Sequence, residues 1–497
     1  MFQMKRKSKE PLFSNAQNYQ EWQAQAQAYD VDQGLERWKK IDQTASYDYV
    51  LVRSRIDKIR RMRIDRNNPG LLFALKEGLH GNLGGMGNEA LYNKAKSGTK
   101  NLVEEYITEV CEALEYIASS EVDDISFATK LDFFNRIEES FGHSALMLSG
   151  SGSLLYFHIG VVLELVEQNL VPKVISGSSG GAFIGSMLCT HTNEELKDIF
   201  NLDNFIDEEL IAEKERNETK EKKSLFSFLK FSGASTSDFE NSLERLIPDM
   251  TFQEALEKTG RHLNVSVASA EYTKSSRLLN AKTSPNVFLR ESIRASAAAP
   301  GLFKPAMLAA RNEHGEKQDY LPNQKWVDGS LNSDLPVKRL SRLYGANHFI
   351  VSQTNPHVIP FVTDAKRKRD TLSVLKYASF DTTRTWINAS ASIWKRPLAS
   401  SEKLTKVSHI LLSIINQNYK GDINIIPPRK YFNPLKQLSW MSRQDMQDLI
   451  DAGRRSTWPK VEMIRLQSKI SRTLEKIMRE YYNEVLEQSG EPNYKAS

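Results

Sequence analysis

The sequence contains only two cysteines, Cys111 and Cys189, in 497 residues, too few for a secreted scaffold held by disulfides. It has no run of 18 or more apolar residues, so we expect no membrane-spanning helix. The basic residues near the N-terminus are not followed by an apolar stretch, and a secretory signal peptide is therefore not expected. These absences favour an intracellular protein that is soluble or attached peripherally to a lipid surface.

Histidines and cysteines do not cluster at metal-ligand spacing, so neither a metal nor another cofactor is expected. Residues 53–66 carry seven basic side chains against two acidic ones, and their apolar residues recur at helical spacing. No aromatic platform accompanies these charges, which argues against a nucleic-acid partner. Two interpretations stay open: a helix that contacts anionic lipid head groups, or a domain helix with a solvated basic face.

A strand, a sharp turn and a helix are predicted around residues 177–181, Gly-Ser-Ser-Gly-Gly. The stretch fits G-x-S-x-G with Ser179 at its centre, between a predicted strand that ends at Ser176 and a predicted helix over residues 182–188. This is the context of a nucleophile elbow, which exposes a serine hydroxyl at the carboxyl edge of a sheet. Gly177 and Gly181 fit such a turn because bulky side chains would not. Ser179 is the candidate nucleophile.

A glycine-rich loop, Gly150-Ser151-Gly152, lies between a predicted strand over residues 145–149 and a predicted helix over residues 154–168. Backbone N–H groups at a helix N-terminus bind anions. The loop lacks the Gly-Lys-Ser/Thr ending of a P-loop and the third glycine of a dinucleotide site. Because a serine elbow follows, we interpret Gly150, Ser151 and Gly152 as an oxyanion hole.

Asp328 ends a predicted strand in the stretch Trp-Val-Asp-Gly-Ser, residues 326–330. A strand end is a suitable place for a base that faces the elbow. Asp-Gly is also common in ordinary β-turns, so a turn role is the alternative for this pair taken alone.

Together these motifs resemble the patatin-like phospholipase/acyl-hydrolase family, and within it the triacylglycerol-lipase branch of yeast and plant oil bodies. The resemblance runs in order over residues 45–480, with the matching stretches 82–88, 91–92, 98–100, 157–161, 174–179, 293–296, 300–303, 327–330 and 348–353.

This resemblance implies a Ser179–Asp328 dyad that hydrolyses carboxylic esters of lipids through an acyl-enzyme. Triacylglycerol is the first substrate it implies, and phospholipase A, lysophospholipase or acyltransferase activity is the alternative. It also implies action at a membrane or lipid-droplet surface. In the family the first glycines of the loop are adjacent, whereas here Ser151 separates them and Leu155 replaces a later glycine. This departure keeps an inactive lipid-binding scaffold as an alternative of another class.

A Ser-His-Asp triad is the nearest mechanistic rival, because His348, His357 and His409 all follow Asp328 in the chain order that α/β-hydrolases use. A dry, apolar site would favour the dyad, since burial raises the pKa of an aspartate above its free value of about 3.9. Residues 154–157, Leu-Leu-Tyr-Phe, are candidates to line such an acyl-chain pocket, or they belong to the core.

Four regions are predicted along the chain: a polar, partly disordered N-terminus over residues 1–44, a helical domain over 45–140, a catalytic domain over 141–358 and a helical region over 359–497. Alternating strands and helices in the third region predict a three-layer αβα core with a mostly parallel sheet. Charged residues 207–223, followed by aromatic residues 225–231, suit a lid or interfacial anchor, or else a surface helix. Basic residues 366–369 suit a head-group contact or a solvated loop.

Overall fold

The computed structural model describes residues 15–205, 236–271, 276–299, 303–330, 334–355, 421–431 and 441–489. Its contacts divide the chain into a helical unit, residues 1–143 with 457–494, and a sheet unit, residues 144–456 with 495–497. The predictions for residues 207–223, 225–231 and 366–369 lie outside the described residues, and so do His357 and His409.

The helical unit buries one apolar face of each of its longer helices. The helix Asn101–Ala118, α6, shows this most clearly, because its residues from Leu102 to Ile117 that recur at three- and four-residue spacing are all buried. The Asp48 carboxylate accepts a hydrogen bond from the Leu51 N–H, so the predicted basic helix begins earlier than its charges suggest. The helices of the first part of this unit are α1 (Tyr19–Asp32), α2 (Leu35–Lys40), α3 (Tyr49–Ile64), α4 (Asn68–Gly78), α5 (Glu89–Tyr92), α6 (Asn101–Ala118) and α7 (Phe127–Phe141).

The sheet unit is built on a seven-stranded sheet, with a separate two-stranded ribbon of β5 and β6. The strands are β1 (His143–Leu148), β2 (Val174–Gly177), β3 (His262–Ser269), β4 (Arg277–Asn280), β5 (Leu308–Arg311), β6 (Lys317–Tyr320), β7 (Trp326–Asp328), β8 (Ala346–Ser352) and β9 (Ile423–Ile425). In the sheet the order is β4-β3-β2-β1-β8-β9, and β7 also pairs with β3. The pairs β1–β2, β2–β3 and β8–β9 are parallel, whereas β4 and β7 run antiparallel to β3.

Helices flank this sheet, and the predicted α/β class with a mostly parallel sheet is confirmed. They are α8 (Leu155–Glu167), α9 (Gly180–Thr190), α10 (Asn193–Ile199), α11 (Leu202–Phe205), α12 (Thr236–Leu246), α13 (Phe252–Thr259), α14 (Leu289–Ala297) and α15 (Val337–Tyr344). A capping box formed by Thr251 and Glu254 begins helix α13. Strands β1 and β2 are buried along nearly their whole length, which explains their apolar sequence.

The C-terminal part of the chain departs from the prediction in one place. A helical region is expected over residues 359–497, but residues 423–425 form strand β9, which is short and pairs with β8. Periodicity cannot identify so short a strand. Helix α16 (Arg443–Ser489) lies within this region and has Pro459 in its interior. In the part of the chain that is described, no helix is both long and apolar enough to span a membrane.

Candidate active site

The turn between β2 and α9 places Ser179 in a strained backbone conformation. Its φ of 52° and ψ of −125° are unusual for a residue with a side chain, and helix α9 starts at the next residue. The Ser179 N–H donates a hydrogen bond of 2.9 Å to the Ser296 Oγ, which itself donates to the Ser266 carbonyl at 2.8 Å. Ser296, on α14, therefore ties the turn to strand β3.

The two predicted elbow glycines lie where the backbone segments approach most closely. A Cβ on Gly177 would collide with the Gly181 carbonyl, and a Cβ on Gly181 would collide with the carbonyls of Leu148 and Ser149. Any side chain at either position would push the elbow away from the end of β1. The packing thus fixes the position of Ser179 relative to the loop that follows β1.

The loop Gly150-Ser151-Gly152 follows β1, and β1 pairs with β2 so that Leu148 is opposite Gly177. The predicted oxyanion loop and the elbow are therefore neighbours at the carboxyl edge of the sheet. The Gly150 N–H is already used, since it donates to the Asp334 Oδ1 at 2.7 Å. The N–H groups of Ser151 and Gly152 have no acceptor among the described residues. The buried Ser151 Oγ has no hydrogen-bond partner there either, and it lies against Gly180.

Asp328 reaches the elbow from β7, which pairs with β3. Its Oδ1 accepts from the Ser330 N–H at 2.8 Å, and its carboxyl lies close enough to the Ser179 side chain for that serine to affect its pKa. Burial, together with a smaller effect of the nearby Asp334 carboxyl, raises the pKa of Asp328 to about 6, even though Ser330 and Ser179 act to lower it. The structure therefore brings the predicted nucleophile and the predicted base together.

Sequence reasoning missed a second buried aspartate, Asp334, which is 1% exposed. Its Oδ1 accepts from the Gly150 N–H and, at 2.5 Å, from the Ser178 hydroxyl; its Oδ2 accepts from the Asn355 side-chain amide at 3.1 Å. Burial raises the pKa of this carboxyl as well. The sequence did carry one signal for this residue, because Asp334 is the single charged residue among residues 329–337.

Two histidines near the sheet have structural contacts. His348 is hydrogen bonded to the Ser144 Oγ at 2.9 Å, at the start of β1 and therefore about 15 Å along that strand from the oxyanion loop. His158, on α8, contacts the Ser352 Oγ at 2.7 Å and the Ser149 carbonyl at 3.0 Å. Burial lowers the pKa of His158 to about 4, so it is neutral and supports the start of the loop.

Aromatic side chains surround the elbow helix. Phe183, one turn after Ser179, packs edge-on against Phe205, which also contacts Tyr156 edge-on. Phe183 further contacts Phe239, and Phe239 contacts Phe303. Of the four residues proposed to line an acyl pocket, Leu154 and Phe157 are buried core residues, whereas Leu155 and Tyr156 are half-buried. The surroundings of the site are therefore largely apolar.

The predicted basic helix, α3, packs along α6, and acidic residues accompany three of its arginines. Each of the three arginines forms two ion pairs of 2.7–3.1 Å: Arg53 with Asp42 and Glu105, Arg60 with Glu105 and Glu109, and Arg63 with Glu109 and Glu112. The charges of these three arginines are therefore largely balanced by acidic side chains. Arg61, by contrast, is exposed.

Metal ligands require several acidic, histidine or cysteine side chains close together. Across the described ranges, no group of three or more such side chains has this arrangement.

Comparison with known proteins gives matches over nearly the whole chain. Residues 146–340 match the family description "Patatin-like phospholipase", and residues 2–139 match a domain of unknown function, DUF3336. Triacylglycerol lipase ptl3 of Schizosaccharomyces pombe is 34% identical over 459 residues, which cover 90% of this chain and 92% of that protein.

Two relatives in Saccharomyces cerevisiae are longer than this chain. Triacylglycerol lipase 4 is 32% identical over 474 residues, which cover 90% of this chain and 50% of that protein. Triacylglycerol lipase 5 is 30% identical over 478 residues, which cover 90% of this chain and 62% of that protein. Among solved structures, VipD from Legionella pneumophila aligns with 66% of this chain at 13% identity and a TM-score of 0.30, too low to carry a conclusion.

Proposed function

Since the chain belongs to the patatin-like phospholipase family, we propose that it hydrolyses carboxylic esters of lipids with Ser179 as nucleophile and Asp328 as base. The observation that carries this proposal is the placement of the buried Asp328 carboxyl, at the end of β7, beside Ser179 in a strained elbow.

In the first half of the reaction, the Ser179 Oγ attacks the ester carbonyl carbon and its proton passes to the Asp328 carboxylate. The tetrahedral intermediate collapses, the alcohol leaves with the proton from Asp328, and the acyl group stays on Oγ. In the second half, Asp328 takes a proton from water as the water attacks the acyl group. The fatty acid is released and Ser179 recovers its proton.

The elevated pKa of Asp328, about 6, supports its role as the base. A carboxylate with an ordinary pKa is a weak base at neutral pH, whereas one that titrates near 6 accepts a proton more readily and is still ionised at pH 7 to 8. Burial is the main cause of the shift, so the same apolar surroundings that suit an acyl chain also strengthen the base.

The oxyanion is held by backbone N–H groups of Ser151 and Gly152, because the Gly150 N–H is occupied by Asp334. Backbone donors do not depend on the side chain, so Ser151 in place of a glycine leaves the donors intact. This argues against an inactive scaffold.

Triacylglycerol is the substrate class we propose, following the names of the yeast relatives. Such a substrate does not dissolve in water, so the protein works at the surface of a membrane or lipid droplet and associates with it peripherally. The aromatic side chains around Phe183 supply apolar contacts for an acyl chain.

Hydrolysis of a panel of emulsified triacylglycerol, diacylglycerol and phospholipid vesicles by the purified chain tests this proposal, with Ser179→Ala as the control. We expect release of fatty acid from triacylglycerol and none from the variant. Equal activity of the variant would overturn the assignment of Ser179, and release from phospholipid alone would overturn the substrate. Added lysolipid or diacylglycerol tests acyl transfer, because transfer gives a new ester in place of free fatty acid.

A further inference from the structure

A single buried carboxyl oxygen connects the two loops of the candidate active site. The Asp334 Oδ1 accepts from the Gly150 N–H at 2.7 Å and from the Ser178 hydroxyl at 2.5 Å. Gly150 begins the loop after β1, and Ser178 immediately precedes the nucleophile in the turn after β2. These donors are 184 and 156 residues away in sequence, so the contact is a product of the fold.

The second oxygen of the same carboxyl group is fixed in turn. The Asp334 Oδ2 accepts from the Asn355 amide at 3.1 Å, just beyond the end of β8. Hydrogen bonds to both oxygens fix the orientation of the carboxyl plane, and burial excludes water that would compete for them. The direction in which the remaining loop N–H groups point depends on where this oxygen holds Gly150.

We propose that Asp334 is a positioning residue, which clamps the oxyanion loop to the nucleophile turn so that the N–H groups of Ser151 and Gly152 face the reacting carbonyl. This inference rests on the proposed function of Ser179 and Asp328. Asp334 acts through Gly150 and Ser178, the two groups that its Oδ1 holds.

The charge of Asp334 has a second effect on the base. The groups that face the Asp328 carboxyl are Asp334, which raises its pKa, and Ser330 and Ser179, which lower it. Removing the negative charge of Asp334 therefore lowers the pKa of Asp328 below about 6. The acidic limb of the kcat/KM profile then moves to lower pH, because this limb reports ionisation of the base. Replacing a residue that contributes only to stability would not change the pH of this acidic limb.

The test compares Asp334→Ala, which has no acceptor, with Asp334→Asn, which keeps one acceptor oxygen but no charge. On a soluble short-chain nitrophenyl ester, we expect Asp334→Ala to lower kcat by about 10²-fold with KM within about threefold, since small misplacement of a catalytic group has this cost. Asp334→Asn should recover kcat to within about tenfold of wild type, because its oxygen can still hold Gly150 and Ser178. Both variants should show the acidic limb at lower pH.

Asp30→Ala is the matched control, because Asp30 is a fully buried carboxylate of the helical unit that accepts two backbone N–H groups, from Lys96 and Ser97. It should leave kcat per fluorophosphonate-labelled active site unchanged. A wild-type kcat in Asp334→Ala would overturn the proposal, and so would an Asp334→Asn variant as impaired as Asp334→Ala.

If Asp334→Ala does not fold, Ser178→Ala decides, because it removes one of the two groups that the oxygen holds. We expect about a tenfold lower kcat at unchanged KM, and a wild-type kcat would overturn the clamp. Failure of the proposed function is distinguishable: it requires turnover in Ser179→Ala or none in wild type, whereas failure of the clamp leaves wild type active and Ser179→Ala inactive.

Discussion

The helical unit and the candidate active site of the sheet unit both bury carboxylates, but they surround them with different partners. In the helical unit, Asp30 accepts two backbone N–H groups and also lies 3.1 Å from the Lys39 ammonium, and Glu109 is paired with Arg60 and Arg63. In the sheet unit, the hydrogen bonds to Asp328 and Asp334 come from hydroxyl, amide and backbone groups that carry no charge.

The consequence differs between the two units. Removing one partner of a buried ion pair leaves an uncompensated buried charge, so breaking the pairs of the helical unit should be costly. Neutral donors compensate burial only in part, so the pKa of Asp328 and that of Asp334 are raised. We infer that burying Asp328 without a cation beside it lowers the stability of the sheet unit and makes this carboxylate a better proton acceptor.

The largest expected effect is on activity. Asp328→Asn should lower kcat on a short-chain ester by about 10³-fold or more, because an amide cannot take the serine proton. The measurement is initial rate per folded protein, with Ser179→Ala in parallel. His348→Ala should retain most activity, since this histidine contacts Ser144 at the far end of β1; a folded His348 variant as inactive as Ser179→Ala would favour a triad.

Breaking the ion pair of Asp30 should lower the stability of the chain and leave its activity unchanged. Asp30→Ala removes the partner of Lys39 and the acceptor for two backbone N–H groups, so we expect unfolding to become easier by about 3–5 kcal/mol. Urea denaturation monitored by circular dichroism measures this. An unchanged transition would mean that the buried pairs of the helical unit do not stabilise it.

The chain should become more stable above pH 6 when Asp328, whose hydrogen-bond donors carry no charge, is replaced by a neutral residue. Because the pKa of Asp328 is raised in the folded state, from 3.8 to about 6, the folded chain holds this proton more tightly than the unfolded chain. Wild type therefore loses stability as pH increases from about 4 to about 6, by about 3 kcal/mol in total. Asp328→Asn escapes this loss, so its Tm should exceed that of wild type at pH 8 and approach it at pH 4. A lower Tm at pH 8 would contradict the comparison.

The smallest expected effect is a difference in stability between variants of Arg61 and Arg63, two residues of α3. Arg63→Gln removes contacts with Glu109, which is 4% exposed, and with Glu112, so it should destabilise the chain by about 1 kcal/mol. Arg61 is exposed, and Arg61→Gln should stay within about 0.5 kcal/mol of wild type. Thermal melts of the two variants at low salt make the comparison. Equal Tm values would mean that the ion pairs of Arg63 do not contribute to stability.

The sequence predicted those parts of the site that local patterns encode. Residues 177–181 combine an apolar strand, small residues and a helix, so the elbow could be recognised without a partner. The clamp could not be, because Gly150 and Asp334 are 184 residues apart and their contact forms only when the sheet has assembled. The ion pairs of the basic helix could not be predicted for the same reason, because the glutamates that pair with Arg60 and Arg63 lie 45 to 49 residues later, on α6.

Trapping the acyl-enzyme tests the central claim most directly. Wild type mixed with a nitrophenyl ester, quenched in acid within the first turnover and digested should carry the acyl group on the peptide that contains Ser179, and hydrolysis should follow with release of fatty acid. The same experiment with Asp328→Asn should give little acylation, because the hydroxyl then has no base. An acyl group on another residue, or turnover with no acyl group on Ser179, would contradict the account.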